Sequence, residues 1–183
     1  EGEGLGNKFL SHIREVDAIA HVVRIFDNTN IVHVDGEINP IRDIGIINLE
    51  LVLADLETVT KRLSSLERDI KKGEKESKAE YDAALKLLPA LEGGRLASSV
   101  TLTPEEKVAV KGLHLLTMKP MLYVLNKESG GHNLDEENGD RWRDVREFFE
   151  GTGAMYVVVD AHVENDLKEL AEGDKTSFRQ EYG

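Results

Sequence analysis

Asn126 and Lys127 close an apolar run, MLYVLNK, and are followed by Glu128, Ser129 and two glycines. An amide at that point can bridge two loops and meet the edge of a purine base. A lysine stem can lie flat across the ring and keep its charge in solvent. A carboxylate three residues after the asparagine would accept the paired N1–H and exocyclic amine of guanine. That position holds Ser129, whose hydroxyl both donates and accepts and so does not force guanine over adenine. Glu128 stands one residue early and is expected to point elsewhere. A second apolar run, AMYVVVDA, ends on Asp160 and Ala161, so two strand ends supply one candidate pocket. On its own, an Asn-Lys pair at a strand end is more often the start of a solvated loop.

The catalytic half of a nucleotide hydrolase is not visible. No G-x-x-x-x-G-K-[ST] occurs, the loop that wraps phosphates with backbone N–H groups and places a hydroxyl on magnesium, and no D-x-x-G occurs. EGDKTS has Asp174 between Gly173 and the lysine and no strand before it. GEGLG, Gly2 to Gly6, lacks both a preceding strand and full dinucleotide-loop spacing. The histidines His12, His21, His33, His114, His132 and His162 never form H-x-x-x-H, so no metal ligand is assigned. His21 reads as a satisfied core residue, and HNLDEENGD as a solvated loop without EF-hand spacing. No G-x-S-x-G elbow is present, and no catalytic residue is assigned.

The elements that must position these residues follow from periodicity. Leu5, Phe9, Ile13 and Val16 mark one helix face. Ile19 to Phe26 is an apolar, β-branched run expected to be a strand covered on both faces. A polar loop, DNTNIVHVDGEINPIRD, follows it. Leu49, Val52, Leu56, Val59, Leu63, Leu66 and Ile70 then form a narrow seam, roughly 32 Å long at 1.5 Å per residue. After a polar break at Gly73 the spacing resumes at Ser77, Tyr81, Ala84, Leu88 and Leu91; the narrow seam favours a projecting antiparallel coiled-coil hairpin over the alternative of two amphipathic helices packed on a globular core. Thr103, Pro104 and Glu106 make a capping box for a helix ending near Gly112. PMLYVLN is the second strand; Trp142, Val145 and Phe149 face one side of a helix stopping at Gly151; AMYVVVDA is the third strand, and a last helical segment follows. Strands separated by helices give a parallel α/β sheet, with ligands at the carboxyl ends of its strands.

With 183 residues, 40% of them hydrophobic, the chain can bury one ordinary core with an appended helical element. A formal net charge of −12 repels nucleic acid unless a local basic patch intervenes. The lack of cysteine excludes disulfides and thiolate metal sites. No run reaches the length of a membrane span, so a soluble, cytoplasmic protein is expected. EGEGLGNKFL has no initiator Met and enters patterned sequence at once, as expected of a chain cut from something longer.

Several passages together resemble the YchF subfamily of Obg-like P-loop ATPases and GTPases: GEGLGNKFLSHIREVDAIAHVVRIF, NIVHVDGEINPIRDIGIINLELVLADLETVTKRL, LLPALEGGRLA, VKGLHLLTMKPMLYVLN and VVVDAHVENDLKELAEGDKTSFRQEYG. The resemblance runs over essentially the whole chain. It implies a partial P-loop NTPase (Rossmann-like) sheet: 1–43 and 93–183 as parts of the nucleotide-binding domain, and 44–92 as the helical insertion. It makes Gly2 to Gly6 the tail of the second switch, Asn126 the start of a base-recognition motif, and Asp160 and Ala161 the last base-contacting loop. The family usually carries N-x-x-E there, associated with accepting ATP; Ser129 replaces that acid, so preference between ATP and GTP does not carry over. The implied ligands are ATP or GTP with Mg2+, the magnesium ligands and the phosphate loop preceding Glu1 and a TGS domain following Gly183. The implied setting is the ribosome or translation factors. Hydrolysis by the chain alone is not expected. The rival reading is a non-catalytic module whose hairpin docks on a protein or ribonucleoprotein. Without the family's neighbouring strands, AIAHVVRIF would offer an open edge, so self-association is expected.

Overall fold

The computed structural model describes residues 3–28, 38–72, 77–137 and 139–182. The chain divides into two compact units, one of Glu1–Ile19 and Gly45–Pro120, the other of Ala20–Ile44 and Met121–Gly183. The 44–92 stretch supplies the long helices of the first unit, which also takes in the amino-terminal helix and residues to Pro120. The Gly73 turn and His33 lie outside the described residues, as does the side chain of Leu5.

The first unit holds helices α1 (Glu3–Glu15), α2 (Pro40–Lys71, from Gly45 onward), α3 (Ser77–Glu92) and α4 (Pro104–Val110). Gly4 and Gly6 lie within α1 and form no phosphate-type loop. Val52, Val59 and Leu63 of α2 pack with Ala83, Ala84, Leu87 and Leu91 of α3, and the same cluster takes in Ala97, Leu102, Val110 and Leu115. The apolar face is therefore wider than the two-helix seam expected. Leu49 is 49% exposed, and on α3 it is Leu87, not Leu88, that is fully buried. The capping box forms: Glu106 N donates to Thr103 Oγ1 (3.2 Å) and Thr103 N to Glu106 Oε2 (3.0 Å). The helix closes at Val110 and one 3-10 turn, Lys111–Leu113, carries the chain past Gly112.

A polar network runs through this core. Asp55 is wholly buried and accepts from Leu116 N (2.8 Å), Thr117 N (2.7 Å) and the Thr117 hydroxyl (2.8 Å). Thr117 Oγ1 in turn accepts from Ala97 N at 2.9 Å. Arg14 stands 3.6 Å from Asp55 and donates to Thr58 Oγ1 and to the carbonyls of Ala54 and His114. Burial pushes the Asp55 pKa up, against the pull of the Thr117 and Leu116 donors and of Arg14.

The second unit is built on a sheet ordered β1 (Ile19–Arg24), β3 (Met121–Lys127), β5 (Met155–Asp160). The β3 and β5 strands are parallel, with Leu122 opposite Met155 and Lys127 opposite Asp160. A small antiparallel pair, β2 (Phe26–Asp27) and β4 (His132–Asn133), sits beside helix α5 (Leu134–Glu137) in the chain. Helices α6 (Asp140–Thr152), α7 (Ala161–Asp166) and α8 (Glu172–Tyr182) complete it. The core joins Val23, Ile25, Tyr123 and Leu125 to Trp142, Val145 and Phe149 of α6, with Phe149 stacked on Tyr156 at 4.4 Å between ring centroids.

Four expectations change in this unit. The polar loop ends before Pro40, not after Asp43: Asn39 Oδ1 accepts from Arg42 N (3.0 Å), and Pro40 takes the first helical position. The α6 helix passes Gly151 and ends at Gly153, whose φ of 65° provides the left-handed cap. The first strand is not covered on both faces, because Val22 is 63% exposed while Val23 is buried. His21 is not a satisfied core residue: its buried Nδ1 has no hydrogen-bond partner among the described residues, and the ring packs at 5.4 Å from Tyr123.

Candidate functional site

The parallel register sets the ends of β3 and β5 side by side, which brings Asn126 and Lys127 next to Asp160 and Ala161. Asn126 Oδ1 accepts from Ala161 N at 3.0 Å, tying the two strand ends through a side chain. The Ala161 amide can only donate, so the asparagine must turn its oxygen inward and its Nδ2 outward.

Ser129 joins the group through the turn that precedes β4. Gly131 N donates to Glu128 O (3.0 Å), and Gly130 has φ 69°, so the sequence Glu-Ser-Gly-Gly supplies the positive φ the turn requires. A Cβ on Gly131 would lie 2.8 Å from the Glu128 carboxylate and 3.1 Å from its carbonyl oxygen. The turn is anchored on Asp160, whose Oδ2 accepts from Ser129 N at 2.6 Å. Its Oδ1 accepts from His162 N (2.9 Å) and Val163 N (3.1 Å), making Asp160 the N-cap of α7. Burial raises the Asp160 pKa, but the Ser129 side chain and the Val163, His162 and Ser129 amides together hold it below the ordinary carboxylate value.

Lys127 differs from expectation. Its side chain is 18% exposed and its ammonium lies 3.5 Å from Glu136 Oε1, so the charge is paired instead of standing free in solvent. The carboxylate of Glu128 is engaged by Asn28, just past β2, accepting from its Nδ2 at 2.8 Å. Lys127 and Asp160 also line a cavity of about 440 Å³ with Asp135, Val157, Val158, Val159, Val163 and Glu164. Its size is that of a small-molecule pocket.

Sequence reasoning missed Asn133. HNLDEENGD is not simply a solvated loop: Asn133 is buried, accepts from Glu128 N (2.9 Å) and donates to Glu128 O (2.8 Å). One side-chain amide thereby imitates a strand partner and fixes the backbone just before Ser129. The stretch's one apolar residue, Leu134, is buried beside Asn133, but a lone leucine in the sequence does not point to the asparagine.

A parallel α/β sheet with its polar side chains gathered where the strands end belongs to the class that binds ligands at strand carboxyl ends. No protein-family model matches the chain. It is 46% identical over all 183 residues to the "Ribosome-binding ATPase YchF" of Bacillus subtilis, covering 50% of that protein, and 44% identical to the Pasteurella multocida protein of that name, covering 49%. The "Obg-like ATPase 1" of Saccharomyces cerevisiae is 44% identical over 130 residues, 68% of this chain and 33% of the relative. The YchF GTPase structure from Schizosaccharomyces pombe superposes with a TM-score of 0.78 at 28% identity, over 96% of this chain and 48% of that one. The chain belongs to the YchF subfamily of Obg-like ATPases and GTPases. It spans about half the length of the curated relatives it matches.

Proposed function

We propose that this chain carries the base-reading part of a purine nucleotide site, with Asn126, Lys127, Ser129, Asp160 and Ala161 as the residues that form it. The observation that carries the reading is the Asn126–Ala161 bond, which fixes the amide oxygen and leaves the Nδ2 hydrogens for an acceptor on a base edge. Asp160 supports the site from behind by holding Ser129 and the start of α7. The ligand class is ATP or GTP, in line with the names of the relatives. When bound, Mg2+ with the phosphates would supply the charge stabilisation on which hydrolysis depends. Of the five residues, Lys127 is paired with Glu136 and the Asp160 carboxylate accepts from three backbone amides, so neither stands ready to hold phosphate or magnesium. The chain alone therefore binds weakly and does not turn over nucleotide; magnesium-dependent hydrolysis by the purified chain would contradict this. A cytoplasmic place at the ribosome follows from the relatives' naming as ribosome-binding.

Thermal melting tests the reading. Saturating ATP or GTP raises the melting temperature of the wild type by mass action, and Asn126→Ala removes the rise. A rise that survives Asn126→Ala would place the nucleotide elsewhere.

The second reading, a docking module, is favoured by one observation. Ile46, Leu49 and Leu53 line up at helical spacing on α2 and are all exposed. In that case nucleotide leaves the melting temperature unchanged.

A further inference from the structure

Helix α1 is joined to its unit by charge and hydrogen bonds, not by the core. None of its described side chains is fully buried, and none belongs to the apolar cluster of α2, α3 and α4. Phe9 is 63% exposed and Val16, just past the helix, 45%, so part of the apolar face expected of α1 is turned to solvent. The contacts that hold the helix gather at its carboxyl end. Arg14 reaches out to Ala54 O (3.1 Å) and Thr58 Oγ1 (3.0 Å) on α2 and to the His114 carbonyl (3.2 Å). His114 offers that carbonyl from a left-handed backbone, φ 47°, which stores strain in a residue with a side chain. Lys119 reaches back, donating to the carbonyls of Arg14 (3.0 Å) and Val16, groups that a helix end leaves without partners. Between these grips lies a cavity of about 400 Å³, lined in part by Ser11, Arg14, Thr58, His114 and Lys119, where a core-packed helix would place side chains.

We infer that α1 is a latched arm, docked by the Arg14 and Lys119 clamp, and that Asp55 relays its docking to Leu116 and Thr117. A helix held by a few polar contacts at one end can open without unfolding the apolar cluster, because no part of that cluster is lost with it. Opening is nonetheless felt inside the unit. Arg14 is the one cation within 4 Å of the wholly buried Asp55 among the described residues, at 3.6 Å. The same carboxylate accepts from the amides of Leu116 and Thr117 and from the Thr117 hydroxyl. When α1 lifts, a buried carboxylate is left without its counter-charge, and its present arrangement is no longer the favoured one. Its hold on Leu116 and Thr117 slackens, in the segment that runs directly into β3. Coupling of this kind works in both directions, so a change at Asp55 also loosens α1.

The test is amide hydrogen exchange, read residue by residue by NMR, on the 183-residue protein and its Arg14→Gln, Lys119→Met and Asp55→Asn variants. Both clamp variants are expected to speed exchange in α1 by about tenfold, with the amides of Val52, Val59 and Leu87 kept within about twofold of the wild type. In Arg14→Gln the Leu116 and Thr117 amides, which Arg14 does not touch, are expected to exchange about tenfold faster as well. Asp55→Asn is expected to speed exchange in α1; should that variant fail to fold, Arg14→Gln carries the test of the relay alone. Exchange in α1 that is unchanged in both clamp variants overturns the latch, as does a fall in protection shared equally by α1 and the apolar cluster. Faster exchange in α1 with Leu116 and Thr117 unaltered in Arg14→Gln overturns the relay.

Discussion

Asp160 orders the strand ends more than any other side chain, because one carboxylate joins a turn, a strand end and a helix start. Asp160→Ala therefore removes an N-cap and an anchor together, and is expected to cost about 2 kcal/mol in urea denaturation at neutral pH. The native pKa of this group lies below its unfolded value, so the unfolded chain binds the proton first on acidification. Its stabilisation is full above about pH 4 and fades as pH falls further, and the gap between wild type and Asp160→Ala should close there. His21 acts at higher pH. Burial lowers its pKa despite the opposing pull of Asp43, so the unfolded state again takes the proton first, now as pH falls below about 6.5. His21→Phe should flatten the loss of stability between pH 6.5 and 5, and an unaltered slope would mean that the ring is not excluded from water. Asn126 and Asp160 were legible in the sequence because a strand's end can be counted from its apolar run. Asn133 was not, since a side-chain amide that bonds to backbone leaves no periodic trace.

Among the elements, α2 and α3 show how far a heptad pattern reaches. It located both helices, but it placed Leu88 on the seam, whereas Leu87 is fully buried. A straight helix drifts about 20° per heptad, and residues of α4 and its flanking turns bury a second strip of α3 that two-helix spacing does not include. Leu87→Ala is expected to cost about 3 kcal/mol and Leu88→Ala clearly less; equal losses would restore the narrow seam. Asp55 was invisible to hydrophobic patterning for the opposite reason, being a charged residue on a buried face. Its Ala variant leaves the amides of Leu116 and Thr117 without an acceptor and should lose about 3 kcal/mol or more, read from denaturant midpoints. A loss under about 1 kcal/mol would show that water replaces the carboxylate.

For the whole molecule, the sheet's β1 strand lies at an edge, and Val22, Leu122, Met155 and Val157 are exposed large apolar side chains on its strands. Edges of this kind pair with other chains. The protein is expected to self-associate at tens of micromolar in light scattering, and Val22→Lys to shift it toward monomer; a wild-type monomer at that concentration contradicts the expectation. Base reading at the carboxyl ends of β3 and β5 is tested most directly by a nitrogen-15 NMR titration of the chain with ATP and GTP. Saturable shifts are expected in the Asn126 side-chain amide and in the backbone amides of Ser129, Ala161 and His162, absent in Asn126→Ala. Shifts confined to α2 and α3, or none with either nucleotide, would contradict it.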